Sequence, residues 1–151
     1  MKPSPRIIAT LSLMVLLTTA CHKQYDSPAN SSGSSSNAGT SLQSGQWIVG
    51  SLTQKLEDNT GKFSGYVLTF ASGGKLTAVI SGKETVGSWS YTPAVTYYGS
   101  SSKEALIINL GTAGDFRRLS GTWNVVSSNS NSISFDNPEL QEDEHLRLDK
   151  K

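Results

Sequence analysis

The chain has 151 residues, a length typical of one domain. About 36% of its residues are hydrophobic, which is enough for a buried core and excludes a wholly disordered protein. Thirteen basic and twelve acidic side chains give a formal net charge of +1, so the excess of basic residues typical of nucleic-acid-binding proteins is missing. One cysteine and two histidines cannot supply an intrachain disulfide bond or a Cys/His zinc site. We predict no metal and no cofactor.

Residues 1–20 have the features of a secretory signal peptide. Lys2 and Arg6 form a short positive region, and an apolar stretch follows from Ile7 to Leu17. A helix of that length spans roughly 16 Å, about half the hydrocarbon thickness of a bilayer, so the stretch is too short to cross a membrane. Small residues then lead directly to Cys21.

The sequence Leu17-Thr18-Thr19-Ala20-Cys21 resembles the end of a bacterial lipoprotein signal, although Thr18 stands where that family usually has leucine. The resemblance implies cleavage before Cys21, a diacylglycerol on its sulfur and usually an N-acyl chain such as palmitate. Two or three acyl chains anchor a protein firmly, because each buried methylene contributes about 0.8 kcal/mol. An aspartate directly after the cysteine resembles the inner-membrane retention signal of some bacterial lipoproteins. His22 stands at that position here, which favours the outer membrane of the cell envelope. The alternative is an ordinary signal peptide followed by an unrelated cysteine.

Residues 21–44 are predicted to form the lipidated cysteine and a flexible tether. The stretch from His22 to Ser44 contains eight serines and hardly any large apolar side chain, so it cannot bury enough surface to offset the entropy of ordering. A flexible linker of this size has a root-mean-square reach of roughly 25–30 Å. It would hold the predicted folded domain, residues 45–151, away from the lipid surface.

Beyond residue 45 the chain consists of short β-like runs separated by turn residues. The connections are short, which forces neighbouring strands to be antiparallel. The best hairpin signal is Ser72-Gly73-Gly74, because glycine accepts the positive φ of a tight turn. Eight strands are predicted: Gln46–Thr53, Gly65–Ala71, Lys75–Ile80, Thr85–Tyr91, Ala105–Leu110, Ser120–Val126, Ser132–Phe135 and His145–Leu148.

Bulky apolar residues alternate with smaller or polar residues in all eight runs, which indicates one buried and one solvated face. We therefore predict an all-β fold, an eight-stranded antiparallel meander β-barrel, with a β-sandwich as the alternative. The predicted inward side chains are Trp47, Val49, Tyr66, Leu68, Phe70, Leu76, Ala78, Ile80, Trp89, Tyr91, Leu106, Ile108, Leu110, Trp123, Val125, Ile133, Phe135, Leu146 and Leu148.

The tripeptide pattern Gly-x-Trp occurs three times, at Gly45–Trp47, Gly87–Trp89 and Gly121–Trp123. We expect each glycine to leave room for the indole ring against neighbouring backbone. With the first copy opening the first strand, residues 45–150 resemble the small lipocalin-like lipoproteins of Bacteroidetes-type bacteria. The domain is shorter than a typical lipocalin and lacks a Thr-Asp-Tyr signature.

The lipocalin-like resemblance also implies structural roles for single residues. It implies that a late arginine packs over the first tryptophan, and Arg147 is the matching residue for Trp47, with Arg117 or Arg118 as alternatives. Such a cation–π contact contributes about 0.5–2 kcal/mol. The alternation along the strands, independently of the resemblance, predicts that Trp47 and Trp123 are core residues.

Catalytic residues are sparse in the predicted domain. His145 is its only histidine and lies next to Glu142-Asp143-Glu144, an arrangement typical of a solvated acidic turn. Asp136, Glu139 and Glu142 lack the spacing of a calcium loop, which alternates its ligands around an obligatory glycine. No Ser-His-Asp set can be assembled without His145, and no inward carboxylate appears on the predicted strands. We expect that the protein is not an enzyme.

The leading functional hypothesis is a membrane-anchored lipoprotein whose barrel binds a small apolar ligand. Eight-stranded barrels either hold one small molecule or fill their interior with side chains, and the bulk of the inward residues favours a shallow site near one barrel mouth. The candidate ligand-binding residues are Tyr66, Trp89, Tyr91, Tyr97 and Tyr98. The alternative is a non-liganded protein-interaction or accessory module of an outer-membrane assembly. A third hypothesis is an inhibitor barrel that presents its loops to a hydrolase.

Overall fold

The computed structural model describes residues 37–139 and 141–151. The predicted signal peptide, Cys21 and residues 22–36 of the predicted tether lie outside the described residues. Described elements, in chain order, are α1 (Ala38–Gln43), β1 (Gln46–Gln54), β2 (Glu57–Asp58), a 3-10 helix (Thr60–Phe63), β3 (Val67–Phe70), β4 (Lys75–Ile80), β5 (Lys83–Thr92), β6 (Thr96–Tyr97), β7 (Ser100–Ser101), β8 (Ala105–Asn109), α2 (Phe116–Leu119), β9 (Gly121–Ser128), β10 (Ser132–Asp136) and β11 (Glu144–Lys150).

Within the described residues, eight strands close into one antiparallel barrel. Their order around the barrel is β1, β3, β4, β5, β8, β9, β10 and β11, and β11 pairs with β1 from Trp47↔Lys150 to Gln54↔Glu144. Both edges of the sheet are therefore paired with each other, as barrel closure requires. The prediction of an eight-stranded antiparallel meander barrel is confirmed. The alternative, a β-sandwich, is wrong because β1 and β11 belong to one continuous sheet.

The alternation of side chains places the core inside the barrel. Most of the predicted inward residues are buried, including the fully buried Leu68, Leu76 and Leu148. The predicted inward residues that are only half-buried lie near the end of a strand or beside a bulge. They are Tyr66, Ile80, Tyr91 and Val125.

A β-bulge changes the alternation within β1. The register of β1 against β11 shifts between Val49 and Ser51, so Gly50 has no partner in the pairing. Because one residue is inserted, both Val49 and Leu52 point into the barrel although they are three positions apart. Leu52 is fully buried and was not among the predicted inward residues.

The helix α1 corrects the predicted boundary between tether and domain. Residues 38–43 were assigned to the tether, but they form a helix whose Ala38 and Leu42 are fully buried in the barrel core. Asn37 caps this helix, since its Oδ1 accepts hydrogen bonds from the backbone N–H groups of Gly39 and Thr40. The described folded part therefore begins at residue 37 rather than at residue 45.

The pairing registers divide the connections between two ends of the barrel. At one end, the α1 end, lie α1, the turn between β3 and β4, and the β6–β7 hairpin. At the other end, the α2 end, lie α2, the 3-10 helix and the loop between β10 and β11. Because the strands close the sides of the barrel, a molecule from solvent can approach the barrel interior only at these two ends.

Each indole N–H of the three Gly-x-Trp sequences donates to a backbone carbonyl outside its own strand. Two of the acceptors are in the last turn of a short helix, where carbonyl groups have no partner within the helix. The bonds are Trp47 Nε1 to Leu42 O (2.9 Å), Trp89 Nε1 to Ala71 O (2.9 Å) and Trp123 Nε1 to Leu119 O (3.0 Å). The tryptophans thus fasten the helices and one turn to the barrel.

The glycine of the second Gly-x-Trp sequence allows two strands to approach closely. A β-carbon at Gly87 would lie 2.1 Å from the backbone oxygen of Asn109 on β8. We expected these glycines to make room for the indole ring, but Gly87 makes room for the neighbouring backbone instead.

Arg147 does not pack over Trp47. Leu146 and Leu148 point into the barrel, so Arg147, which lies between them on β11, is exposed; its Nε lies 3.1 Å from an oxygen of Asp149. The cation over Trp47 is Lys150, whose Nζ lies 5.9 Å from the centre of the ring. The implied core role of Arg147 is therefore wrong.

The alternatives, Arg117 and Arg118, both lie on α2 and do not fill that role either. Arg118 lies at the α2 end and contacts Gln54 and Glu57. Trp47 and Trp123, in contrast, are buried as predicted.

Candidate functional site

A cleft of about 410 Å³ lies at the α1 end of the barrel. Three structural elements form it: α1, the turn between β3 and β4, and the last part of β5. Its side chains come from Asn37, Thr40, Gln43, Trp89, Ser90 and Tyr91, and the remaining lining residues are glycines. We refer to it as the α1 cleft.

One face of α1 supplies three of these side chains. Asn37, Thr40 and Gln43 follow one another at intervals of three residues, so they lie along one side of the helix and are exposed. Ala38 and Leu42 occupy the opposite side and enter the core. Burial of that side therefore fixes the position of the polar face at the cleft.

Trp89 forms the inner wall of the α1 cleft. Its side chain is 8% exposed, and its ring packs edge-on against Phe70 with 5.4 Å between the ring centres. The hydrogen bond from its indole N–H to Ala71 O fixes the orientation of the ring. The ring is thus held by a packing contact and a hydrogen bond that do not involve a ligand.

Tyr91 is held by contacts on both sides. Its ring lies against α1 where Gly39 has no side chain, since a β-carbon there would be 2.6 Å from the ring. Its hydroxyl donates to Glu104 Oε2 over 2.7 Å. Burial, followed by this bond to the Glu104 carboxylate, raises the pKa of Tyr91 to about 12. The tyrosine is therefore neutral at physiological pH, and its hydroxyl is already engaged.

A smaller cleft of about 190 Å³ lies at the α2 end. Its aromatic side chains are Phe63, Tyr66 and Phe116, with 5.2 Å between the ring centres of Tyr66 and Phe116 and 6.3 Å for each of the other two pairs. Lys62 and Asp115 also line it. These rings mainly contact one another, which is the geometry of a small aromatic cluster.

Tyr97 and Tyr98 lie on the β6–β7 hairpin. They are 72% and 92% exposed, and their rings meet edge to face with 4.4 Å between centres. Val95, just before the hairpin, is also exposed. The pair is an exposed aromatic surface and does not line the α1 cleft.

The structure thus separates the candidate ligand-binding residues into three places. Trp89 and Tyr91 line the α1 cleft, Tyr66 lies at the opposite end of the barrel, and Tyr97 and Tyr98 lie on the hairpin.

Sequence reasoning missed Asn37, Thr40 and Gln43 because it assigned them to the tether. A signal for them was present. Asn37 is a strong N-cap residue, and Ala38 and Leu42 have the four-residue spacing of a buried helical face.

His145 lies at the α2 end between two carboxylates. Its Nδ1 is 2.7 Å from Asp136 and its Nε2 is 3.3 Å from Asp143. The hydrogen bond with Asp136, with smaller contributions from the charges of both carboxylates, raises the pKa of His145 above its ordinary value. The described residues contain no group of three or more His, Cys, Asp or Glu side chains suited to hold a metal ion.

Among the described residues, no helix is both long and apolar enough to cross a bilayer. The search for a matching protein-family model found none. No curated protein matches the chain either.

Among solved structures, the barrel is similar to a lipocalin-like protein from Bacteroides uniformis. The identity is 11% and the TM-score is 0.46, and the similarity covers 73% of this chain and 99% of the other. The strand number, the antiparallel pairing and the closure described above establish by themselves an eight-stranded meander barrel.

Proposed function

We propose that this protein is a lipid-anchored lipoprotein of the bacterial cell envelope that binds a small ligand at the α1 cleft. It acts by binding, without catalysis. The α1 cleft supports this proposal, because its volume falls within the roughly 300–1,000 Å³ typical of small-molecule sites and two ordered aromatic side chains line it.

The site differs from the central cavity of a carrier barrel. Fully buried side chains such as Trp47, Phe70 and Trp123 occupy the barrel interior. A ligand at the α1 cleft would instead rest at the mouth, against Trp89 and Tyr91.

Blocking the cleft tests the binding proposal. Ser90 is exposed and lines the cleft, whereas Ser88 is an exposed residue of the same strand that does not. Native mass spectrometry of the Cys21→Ser protein should show a retained small molecule that Ser90→Tyr removes and Ser88→Tyr preserves. Loss with both variants, or with neither, would contradict binding at this cleft.

The lipid anchor is supported by the lipoprotein-like sequence that ends at Cys21. We propose the outer membrane as its location, because histidine rather than aspartate follows the cysteine. Cys21→Ser should release the protein from the membrane fraction, while Ser32→Ala should leave it there. Mass spectrometry of the N-terminal peptide should show a diacylglyceryl group and an acyl chain. A membrane-bound Cys21→Ser protein would contradict the anchor.

The second candidate function is a protein-interaction module of an outer-membrane assembly. The exposed Tyr97–Tyr98 pair favours it, because tyrosine is enriched at protein interfaces. A photo-crosslinking residue in place of Tyr98 should form a discrete adduct with one envelope protein in cells, and the same residue in place of Ser130 should not. The absence of an adduct at Tyr98 would remove this candidate.

A further inference from the structure

The α1 cleft is lined without charge. Among the described residues that form it, none carries a charged side chain, and four carry neutral amide or hydroxyl groups: Asn37, Thr40, Gln43 and Ser90. Trp89 and Tyr91 supply apolar ring surface next to them. Polar and apolar groups are thus interleaved within one cleft.

This lining does not suit a fatty acid. A carboxylate would find no cation among the lining residues, and a hydrocarbon chain would cover amide and hydroxyl groups without giving them a partner. Each uncompensated polar group costs roughly 1–3 kcal/mol. An inorganic anion would likewise meet neutral groups only.

Several polar groups of the cleft keep hydrogen-bonding capacity for a ligand. The Asn37 Oδ1 atom accepts from the backbone of α1, which leaves the amide NH₂ of Asn37 directed away from those donors. Gln43 Nε2 donates to Gly39 O over 3.4 Å, and its Oε1 has no hydrogen-bond partner among residues 37–139 and 141–151. The cleft can therefore offer both donors and acceptors.

We propose that the ligand of the α1 cleft is a neutral saccharide of one or two sugar rings. Sugar hydroxyls both donate and accept hydrogen bonds, as the amides of Asn37 and Gln43 and the hydroxyls of Thr40 and Ser90 require. The apolar C–H groups of a sugar ring can contact the half-buried ring of Tyr91 and the small exposed part of Trp89 where they line the cleft. This assignment rests on the proposed function of the cleft and adds the chemical class of the ligand.

The polar face of α1 allows a test with matched variants. Thr40→Val removes a hydroxyl at nearly constant volume, and Gln43→Met removes the amide while keeping a long side chain. Ser41→Ala changes a hydroxyl on the same helix that does not line the cleft. Thr40 and Gln43 are exposed and Ser41 is half-buried outside the core cluster, so none of these changes removes a core side chain.

Isothermal titration of the Cys21→Ser protein with glucose, galactose, mannose, N-acetylglucosamine, maltose and cellobiose measures the interaction. We expect at least one sugar to bind, with Thr40→Val and Gln43→Met each weakening the affinity roughly tenfold and Ser41→Ala leaving it unchanged. Ser90→Tyr should abolish binding, and Ser88→Tyr should not.

Parallel titrations with palmitate and with the neutral apolar probe N-phenyl-1-naphthylamine distinguish the proposed saccharide ligand from the more general proposal that the α1 cleft binds a small molecule. If the apolar compounds bind in a manner that Ser90→Tyr blocks while no sugar binds, the saccharide assignment is overturned and the binding function of the cleft stands. If neither class binds, both are overturned. Sugar binding that Ser90→Tyr leaves intact would place the saccharide elsewhere and would also overturn the assignment.

Discussion

The indole N–H of Trp47 donates a 2.9 Å hydrogen bond to the backbone carbonyl of Leu42. Both side chains are fully buried, so the bond joins the last turn of α1 to the first strand of the barrel inside the core. A buried carbonyl without a partner costs about 1–3 kcal/mol, and the indole removes that cost. The position of α1, and with it one wall of the α1 cleft, therefore depends on Trp47.

Substitution of Trp47 should destabilise the domain strongly. Trp47→Ala removes both the buried ring and the bond to Leu42, and we expect a loss of about 3–5 kcal/mol in the free energy of unfolding. Trp47→Phe retains an aromatic ring but loses the donor, so its cost should be smaller. Urea denaturation measures both. A loss below about 1 kcal/mol for Trp47→Ala would mean that the ring is not in the core.

Gly87→Ala tests the close approach of β5 and β8. A β-carbon at this position would lie 2.1 Å from Asn109 O, so the two strands must separate. We expect a loss of about 1–3 kcal/mol, as for other substitutions that overfill a packed region. Gly61→Ala is the control, because a β-carbon there meets nothing within 4 Å. Equal melting temperatures for the two variants would contradict the observed strand spacing.

His145 should make stability depend weakly on pH. Because Asp136 raises its pKa in the folded state, its stabilising contribution is complete below the unfolded pKa of about 6.5 and is lost as the pH rises through the raised value. The side chain is 55% exposed, so the contribution should be about 1 kcal/mol or less. Urea denaturation of the wild type and His145→Gln should show a difference at pH 6 that disappears in mildly alkaline solution. A difference in the free energy of unfolding that grows with pH would contradict the raised pKa of His145.

Tyr91 should ionise well above the ordinary range of a tyrosine side chain. Its pKa is raised to about 12, whereas an unperturbed tyrosine ionises near 10. Its neutral form is favoured in the folded state, so its stabilising contribution is complete below about pH 10 and decreases between about pH 10 and 12. An ultraviolet titration should contain a late step that Tyr91→Phe removes and Tyr97→Phe retains. If Tyr91→Phe instead removes a step at the pH where an unperturbed tyrosine ionises, the burial of the Tyr91 side chain would be contradicted.

The barrel was predictable because alternation is a property of neighbouring residues. Pairs such as Leu146 and Leu148 mark the inner face of a strand without any knowledge of its partners. The same alternation places Arg147 outside, and the family resemblance that assigned it to Trp47 conflicted with this simpler rule. Lys150, two positions after Leu148, shares the inner face and reaches Trp47 from the strand end.

The α1 cleft was predicted only in part, because most of its wall comes from tertiary contacts. Trp89 and Tyr91 followed from the β5 pattern, but α1 is a short helix in a serine-rich region whose composition resembles a linker. Helices of this length are stabilised by packing rather than by local propensity. The packing of α1 against the barrel, such as the burial of Leu42 in the core, is a tertiary contact that the local sequence does not reveal.

Closure of the barrel requires pairing of β11 with β1, the two strands that lie farthest apart along the described part of the chain. Until they pair, two sheet edges stay exposed, and such long-range pairing is slow to form. The time for which those edges remain open, rather than the folded barrel, therefore sets how far the chain is exposed to aggregation.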